Sequence, residues 1–74
     1  MIPRGRLINK LEELGFRYVS SLSRNDLFKK IGSGIRYASI PRHDLLEDET
    51  VREVLRHAGC SQDEIGAFIQ NQCH

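Results

Sequence analysis

An imidazole flanked by a guanidinium and a carboxylate can move protons near neutral pH, and the sequence holds such a run in Arg42-His43-Asp44. The neighbouring carboxylate could raise the pKa of His43 and orient its ring. A plainer reading makes His43 a structural residue, bonded to the backbone in a bend. Of the other two histidines, His57 falls near the end of an apparent helix, where a protonated ring suits the dipole, and His74 is terminal. Positive charge lies close by in sequence. Arg24, Lys29, Lys30, Arg36 and Arg42 occupy a stretch of strand-like alternation, where antiparallel neighbours would bring alternate residues together as a stripe for phosphates. Some of the five must point to the opposite face, and solubilising charge is the simpler alternative. Removal of a hydroxyl proton, protonation of a leaving oxygen and cations near a phosphate are the parts that metal-free phosphodiester cleavage requires.

Other reactive residues carry less. Asp26 with Asp44, or the run Glu47-Asp48-Glu49, could suggest a divalent cation, but bend and helix-start carboxylates account for them, and no metal or cofactor is expected. Cys60 and Cys73 form no CxxC pair and read as reduced bystander thiols. Tyr18 and Tyr37 could stack on bases, although packing within strands is the simpler role. Gly32-Ser33-Gly34 lacks the Lys-Ser/Thr of a phosphate-binding loop and reads as a turn.

The elements that must position these groups follow from periodicity. Leu7, Ile8, Leu11 and Leu14 share one helical face over residues 4–14, with Pro3 suited to the first turn and Gly15 to a left-handed ending. Alternation then predicts a strand over 16–22, with Phe16, Tyr18, Ser20 and Leu22 on one side and Arg17, Val19 and Ser21 on the other. A polar turn over 23–26 leads to a second strand at 27–31. The Gly32-Ser33-Gly34 hairpin, with residues that tolerate positive φ, leads to a third strand at 35–40, ended by Pro41. Val51, Val54, Leu55 and Ala58 predict a second helix, with Asp48 as N-cap and Gly59 as its end. Ser61-Gln62-Asp63-Glu64 has the form of a capping box before Ile65, Phe68 and Ile69, and residues 70–74 read as a frayed tail. The predicted core is Leu7, Leu11, Leu14, Val51, Val54, Leu55 and Ala58. The expected fold is α+β: a single domain over 1–74, ordered α-β-β-β-α with a short extra C-terminal helix, its antiparallel three-stranded sheet packed on helices and open on the other face.

Seventy-four residues allow one small core and leave little room for a deep cavity. With 39% hydrophobic and 28% charged residues the chain is expected to fold. No apolar run approaches the roughly eighteen residues of a membrane span, and the opening lacks the apolar core of a signal peptide, so the expected location is the cytoplasm, away from membranes. The net charge of +1 conceals an asymmetry. Residues 1–42 hold nine Lys or Arg against three Asp or Glu, and residues 43–74 hold two against seven. A basic portion facing a polyanion, joined to a portion of different purpose, fits this pattern, as does a merely solvated surface.

Several of these residues also resemble a known family. Leu7-Ile8 through Leu14-Gly15-Phe16 looks like the first helix of the HicA family, which ends in a glycine followed by an aromatic. Ile40-Pro41-Arg42-His43 looks like its Pro-x-His signature. Thr50-Val51-Arg52 through Val54-Leu55 to Ala58-Gly59 looks like its second helix, with Ser61 to Phe68 as the usual extension. HicA proteins are the small RNA-cleaving toxins of HicAB toxin–antitoxin pairs, with a fold like a double-stranded-RNA-binding domain. The resemblance implies RNA as ligand, a HicB-like antitoxin as protein partner and metal-independent endoribonuclease chemistry. One position departs from the family. Where active members carry a Gly-Ser/Thr-His motif with the catalytic histidine, this chain reads Ser23-Arg24-Asn25-Asp26, and an Asn25 amide cannot act as general base or acid near neutral pH. RNA binding therefore ranks first, with a weak or absent nuclease activity using His43, and an inactive module binding a HicB-like partner is the alternative.

Overall fold

The structure is a computed structural model, and it describes residues 1–72. Its elements are β1 (Ile2–Pro3), α1 (Arg4–Glu13), β2 (Arg17–Ser21), β3 (Asn25–Ile31), β4 (Ile35–Pro41), β5 (Leu45–Leu46), α2 (Asp48–His57) and α3 (Gln62–Gln72). The fold is α+β, with β2-β3-β4 forming an antiparallel meander in that order and three helices completing the α-β-β-β-α plan.

Helices α1 and α2 form for the same reasons and stop in the same way. Each places apolar residues at helical spacing into the core: Leu7 and Leu11 from α1, and Val51, Val54 and Leu55 from α2. Each then ends in a Schellman motif. After α1, Gly15 N donates to Glu12 O and Phe16 N to Leu11 O; after α2, Gly59 N donates to Arg56 O and Cys60 N to Leu55 O. Gly15 and Gly59 supply the left-handed residue, at φ 99° and 94°. The capping box forms as the sequence predicts: Glu64 N donates to Ser61 Oγ at 3.2 Å and Ser61 N donates to Glu64 Oε1 at 3.1 Å.

One continuous core joins these helices to one face of the sheet. Phe28, Ala38 and Ile40 come from the meander, Phe16 from the segment before it, and Ile65 and Ile69 from α3. The predicted core positions are buried with one exception: Leu14 is only half-buried, because it lies past the last helical residue as the C-cap of α1.

Several other expectations are corrected. Strand β3 begins at Asn25 rather than Leu27, since Leu22 N donates to Asn25 O at 2.7 Å and confines the turn to residues 22–24. Strand β2 does not alternate throughout. Tyr18 pairs with Phe28 but Ser20 with Leu27, so Val19 is an extra residue, a β-bulge that moves Ser21 onto the side of Tyr18. The Gly32–Gly34 turn uses no positive φ, and a Cβ at either glycine would meet nothing within 4 Å. Glu47, not Asp48, is the N-cap of α2. Residues 70–72 continue α3, because buried Ile65 and Ile69 hold that helix on the core; residues 73 and 74 lie outside the described residues. Strands β1 and β5, absent from the predicted order, pair antiparallel and bury Ile2 against Leu46. Among the described residues no helix is long and apolar enough to cross a membrane.

Candidate nucleic-acid interface

Strand register decides which of the basic residues can act together. In an antiparallel sheet, directly opposed residues share a face. One row runs Arg17, Lys29 and Tyr37 across β2, β3 and β4, with Lys29 Nζ 6.0 Å from the centroid of the Tyr37 ring. This row lies opposite the buried face, which carries Phe28 and Ala38. The same open face presents Ser20, Leu27 and Ser39, then Asn25 and Pro41. Asp26 is the sole acidic residue of the three strands, and the alternation of β3 puts it on the other side with Phe28. The open face therefore presents cations, an aromatic, small polar groups and the apolar Leu27, Ile31 and Ile35, with no carboxylate among them; its cations and aromatic suit phosphates and bases.

The remaining basic candidates are distributed elsewhere. Lys30 and Arg36 are cross-strand partners on the helix-bearing face. Arg24 is exposed in the turn before β3, its carbonyl accepting from Arg42 N at 3.1 Å. Arg42 is engaged at both ends of its guanidinium, donating through Nε to Asp26 Oδ1 at 3.1 Å and through Nη2 to Leu22 O. The five cations thus divide between two faces and a turn, and Arg42 serves an internal cluster.

Asp26 is the centre of that cluster. It accepts from Arg4 at the start of α1, from Arg42 beyond β4 and from Ser21 Oγ at 3.0 Å, and Ser21 Oγ in turn shares a 2.9 Å hydrogen bond with Tyr18 OH. Arg4 Nε also donates to Pro41 O at 3.1 Å. Burial is the largest single influence on the Asp26 carboxyl and pushes its pKa up. The Ser21 hydroxyl and the charges of Arg4 and Arg42 together outweigh it and hold the carboxyl below the usual range. From the sequence, Asp26 is a turn carboxylate or, less simply, a metal ligand. Its partners come from residues 4, 21 and 42, a convergence that no local spacing announces.

The residues considered for catalysis occupy the same end of the sheet. Asn25 is half-buried at the start of β3, in register with Pro41, and His43 lies two residues beyond Pro41 in an exposed bend. Neither side chain makes a hydrogen bond or ion pair among the described residues. The Asp44 carboxylate does not engage His43; Asp44 contributes its carbonyl, which accepts from Arg4 N at 2.9 Å. The bend thus exposes an imidazole without a fixed orienting partner, two residues past the strand partner of Asn25.

His57 is exposed in the last turn of α2, with Nε2 4.0 Å from Glu53 Oε2. The thiol of half-buried Cys60 is pushed up in pKa by burial first and by Glu64 second, which disfavours the nucleophilic thiolate. Cys73 and His74 lie outside the described residues. Among the described residues no three His, Cys, Asp or Glu side chains are grouped to hold a metal ion. No protein-family model, curated protein or solved structure matches the chain.

Proposed function

We propose that the chain is a cytoplasmic RNA-binding protein of HicA type, with slow or absent endoribonuclease activity and a HicB-like antitoxin as its protein partner. The observation that carries this reading is the carboxylate-free open face of the meander, where Arg17, Lys29 and Tyr37 form one cross-strand row. An exposed Arg17 and a half-buried Lys29 beside the exposed Tyr37 offer a phosphodiester backbone both charge and a surface for stacking. The resemblance of the chain to HicA proteins supports RNA as the ligand, and Asn25 in place of the expected histidine argues against vigorous cleavage.

The test is binding to a short single-stranded oligoribonucleotide over a salt series. Affinity should fall steeply as salt rises, and Lys29→Glu should weaken it across unrelated sequences. Absence of any complex at low salt, with charge reversal at Lys29 and Lys30 also without effect, would dispose of the reading.

A specific feature favours the alternative of an inactive partner-binding module. Ile31 and Ile35, directly opposed near the hairpin, are 74% and 58% exposed on the same open face as Tyr37. Apolar exposure of this kind suits a protein partner. A chain that binds a HicB-like protein through Ile31 and Ile35 and ignores RNA would establish that alternative.

A further inference from the structure

Lys30 and Arg36 stand directly opposite one another on β3 and β4, next to the Gly32–Gly34 turn, on the face that carries the helices. Like charges in directly opposed positions repel, and a nearby carboxylate ordinarily relieves such a pair. Here neither side chain has an ion pair or a hydrogen bond among the described residues.

Both side chains nevertheless lie against helix ends. The aliphatic part of Lys30 lies over Gly15, where a Cβ would stand 3.6 Å from Lys30 Cε, and its ammonium is 6.0 Å from the Phe16 ring centroid. The Arg36 guanidinium lies over Gly59, where a Cβ would stand 3.2 Å from Arg36 Cζ. These are the two Schellman glycines, so each cation rests at the C-terminal end of a helix, where the dipole favours positive charge. The helix ends support the two heads without giving either a counter-ion.

Beside the pair, the hairpin turn closes a shallow hollow of about 370 Å³ lined by Lys30, Arg36 and residues 32–35. Gly32 N donates to Gly34 O across the turn at 2.9 Å, whereas the Ser33 amide and hydroxyl make no hydrogen bond among the described residues. Unused donors and two uncompensated cations therefore border one hollow.

We propose that Lys30, Arg36 and the Ser33 turn bind a phosphate group of the RNA backbone, on the side of the sheet opposite the Arg17–Lys29–Tyr37 row. The assignment rests on the RNA-binding reading above and names a second point of contact for the same ligand. The fork of Arg36 matches the two non-bridging oxygens of a phosphodiester, and Lys30 adds a point charge. An anion between the two heads relieves their mutual repulsion. With contacts on both faces, the RNA strand passes around the β3–β4 hairpin.

The test uses the full chain, labelled with ¹⁵N, in two titrations. In the first, inorganic phosphate is added at constant ionic strength, and the amides of Ser33 and Gly34 and the Nε of Arg36 should shift saturably. The double variant Lys30→Gln/Arg36→Gln should lose that response. In the second, a short single-stranded oligoribonucleotide should bind the double variant about tenfold more weakly, the size of one lost charge-assisted contact. Its log–log salt dependence should be shallower by roughly 0.7, for one phosphate on a single strand. Arg36→Lys, which preserves charge and serves if the double variant does not fold, should keep the salt slope and lose part of the affinity. RNA binding by the wild type that is undiminished in the double variant, or in Arg36→Lys where only that variant folds, overturns this site and leaves the RNA-binding reading standing. A wild type that binds no RNA overturns both, even if inorganic phosphate binds. Absence of saturable phosphate shifts also overturns the site.

Discussion

Arg4 and Asp26 meet across the junction of α1 and β3, with Arg4 Nη2 donating to Asp26 Oδ2. Their side chains are 23% and 15% exposed, so the pair lies mostly out of water. Because Arg4 also bonds the carbonyl of Pro41, and Arg42 and Ser21 bond Asp26, one carboxylate ties the first turn of α1 to all three strands of the meander. Replacing Asp26 with Asn should lower Tm at neutral pH, since it leaves Arg4 and Arg42 without their counter-charge.

The same carboxylate sets a pH dependence. Its pKa is lower in the folded chain than the ordinary Asp value of about 3.9, so its contribution is complete above that value and is lost as pH falls through the folded pKa. The Tm difference between wild type and Asp26→Asn should be constant from neutrality to about pH 5 and shrink under more acidic conditions. A difference that persists undiminished at pH 2 would show that the carboxylate charge is not what stabilises this junction.

Leu11 and Leu55 are fully buried, one on each of the two helices ended by Schellman motifs. Truncation of either to Ala should cost about 2–5 kcal/mol in denaturant unfolding, the lost transfer energy plus the residual cavity. Values under about 0.5 kcal/mol at both positions, the range of ordinary surface substitutions, would remove them from the core.

The glycines should divide into two classes. Gly15→Ala and Gly59→Ala force an L side chain into a left-handed conformation and should each cost about 1–2 kcal/mol. Gly59→Ala should be the worse of the two, since its Cβ would press on the Arg36 guanidinium. Gly32→Ala and Gly34→Ala, in a turn without positive φ, should change stability by less than about 0.5 kcal/mol. Equal losses at all four would contradict the turn geometry.

For catalysis, the wild type should cleave RNA slowly or not at all, and Asn25→His should raise the rate by roughly 10²–10⁴-fold, with the lower end expected in an unadapted site. Gel-based cleavage assays with Asn25→Ala and Asn25→His/His43→Ala as controls check this. Vigorous wild-type cleavage that survives His43→Ala would place the chemistry elsewhere. An inert, folded, RNA-binding Asn25→His protein would mean that more than one catalytic part is missing.

Most of the fold was legible because it is written in local patterns. The helical spacing of Leu7 and Leu11, the glycines at 15 and 59 and the Ser61–Glu64 box each act within a few residues, and each appears in the structure. What escaped depends on distant partners. Ile2 and Leu46 form two-residue strands too short for any periodicity, and the bulge at Val19 is visible only in the register of β3. The basic residues were legible as a group, and alternation alone separates Lys29 from Lys30; which cross-strand partners each one meets, and which face the helices cover, required the register of the meander.

The pairing of Ile2 with Leu46 also constrains the order of folding. The paired residues of the β2–β3 and β3–β4 hairpins are joined by the short turns between consecutive strands, whereas β1 finds its partner only after α1 and the entire meander have intervened. Closing so long a loop carries an entropy cost that local hairpin formation avoids, so the β1–β5 contact should form late. During synthesis from the N-terminus, Ile2 emerges long before Leu46 exists, and its side chain has no strand partner until then. The β1–β5 pairing thus serves as a closing latch, set once the helix and sheet are in place.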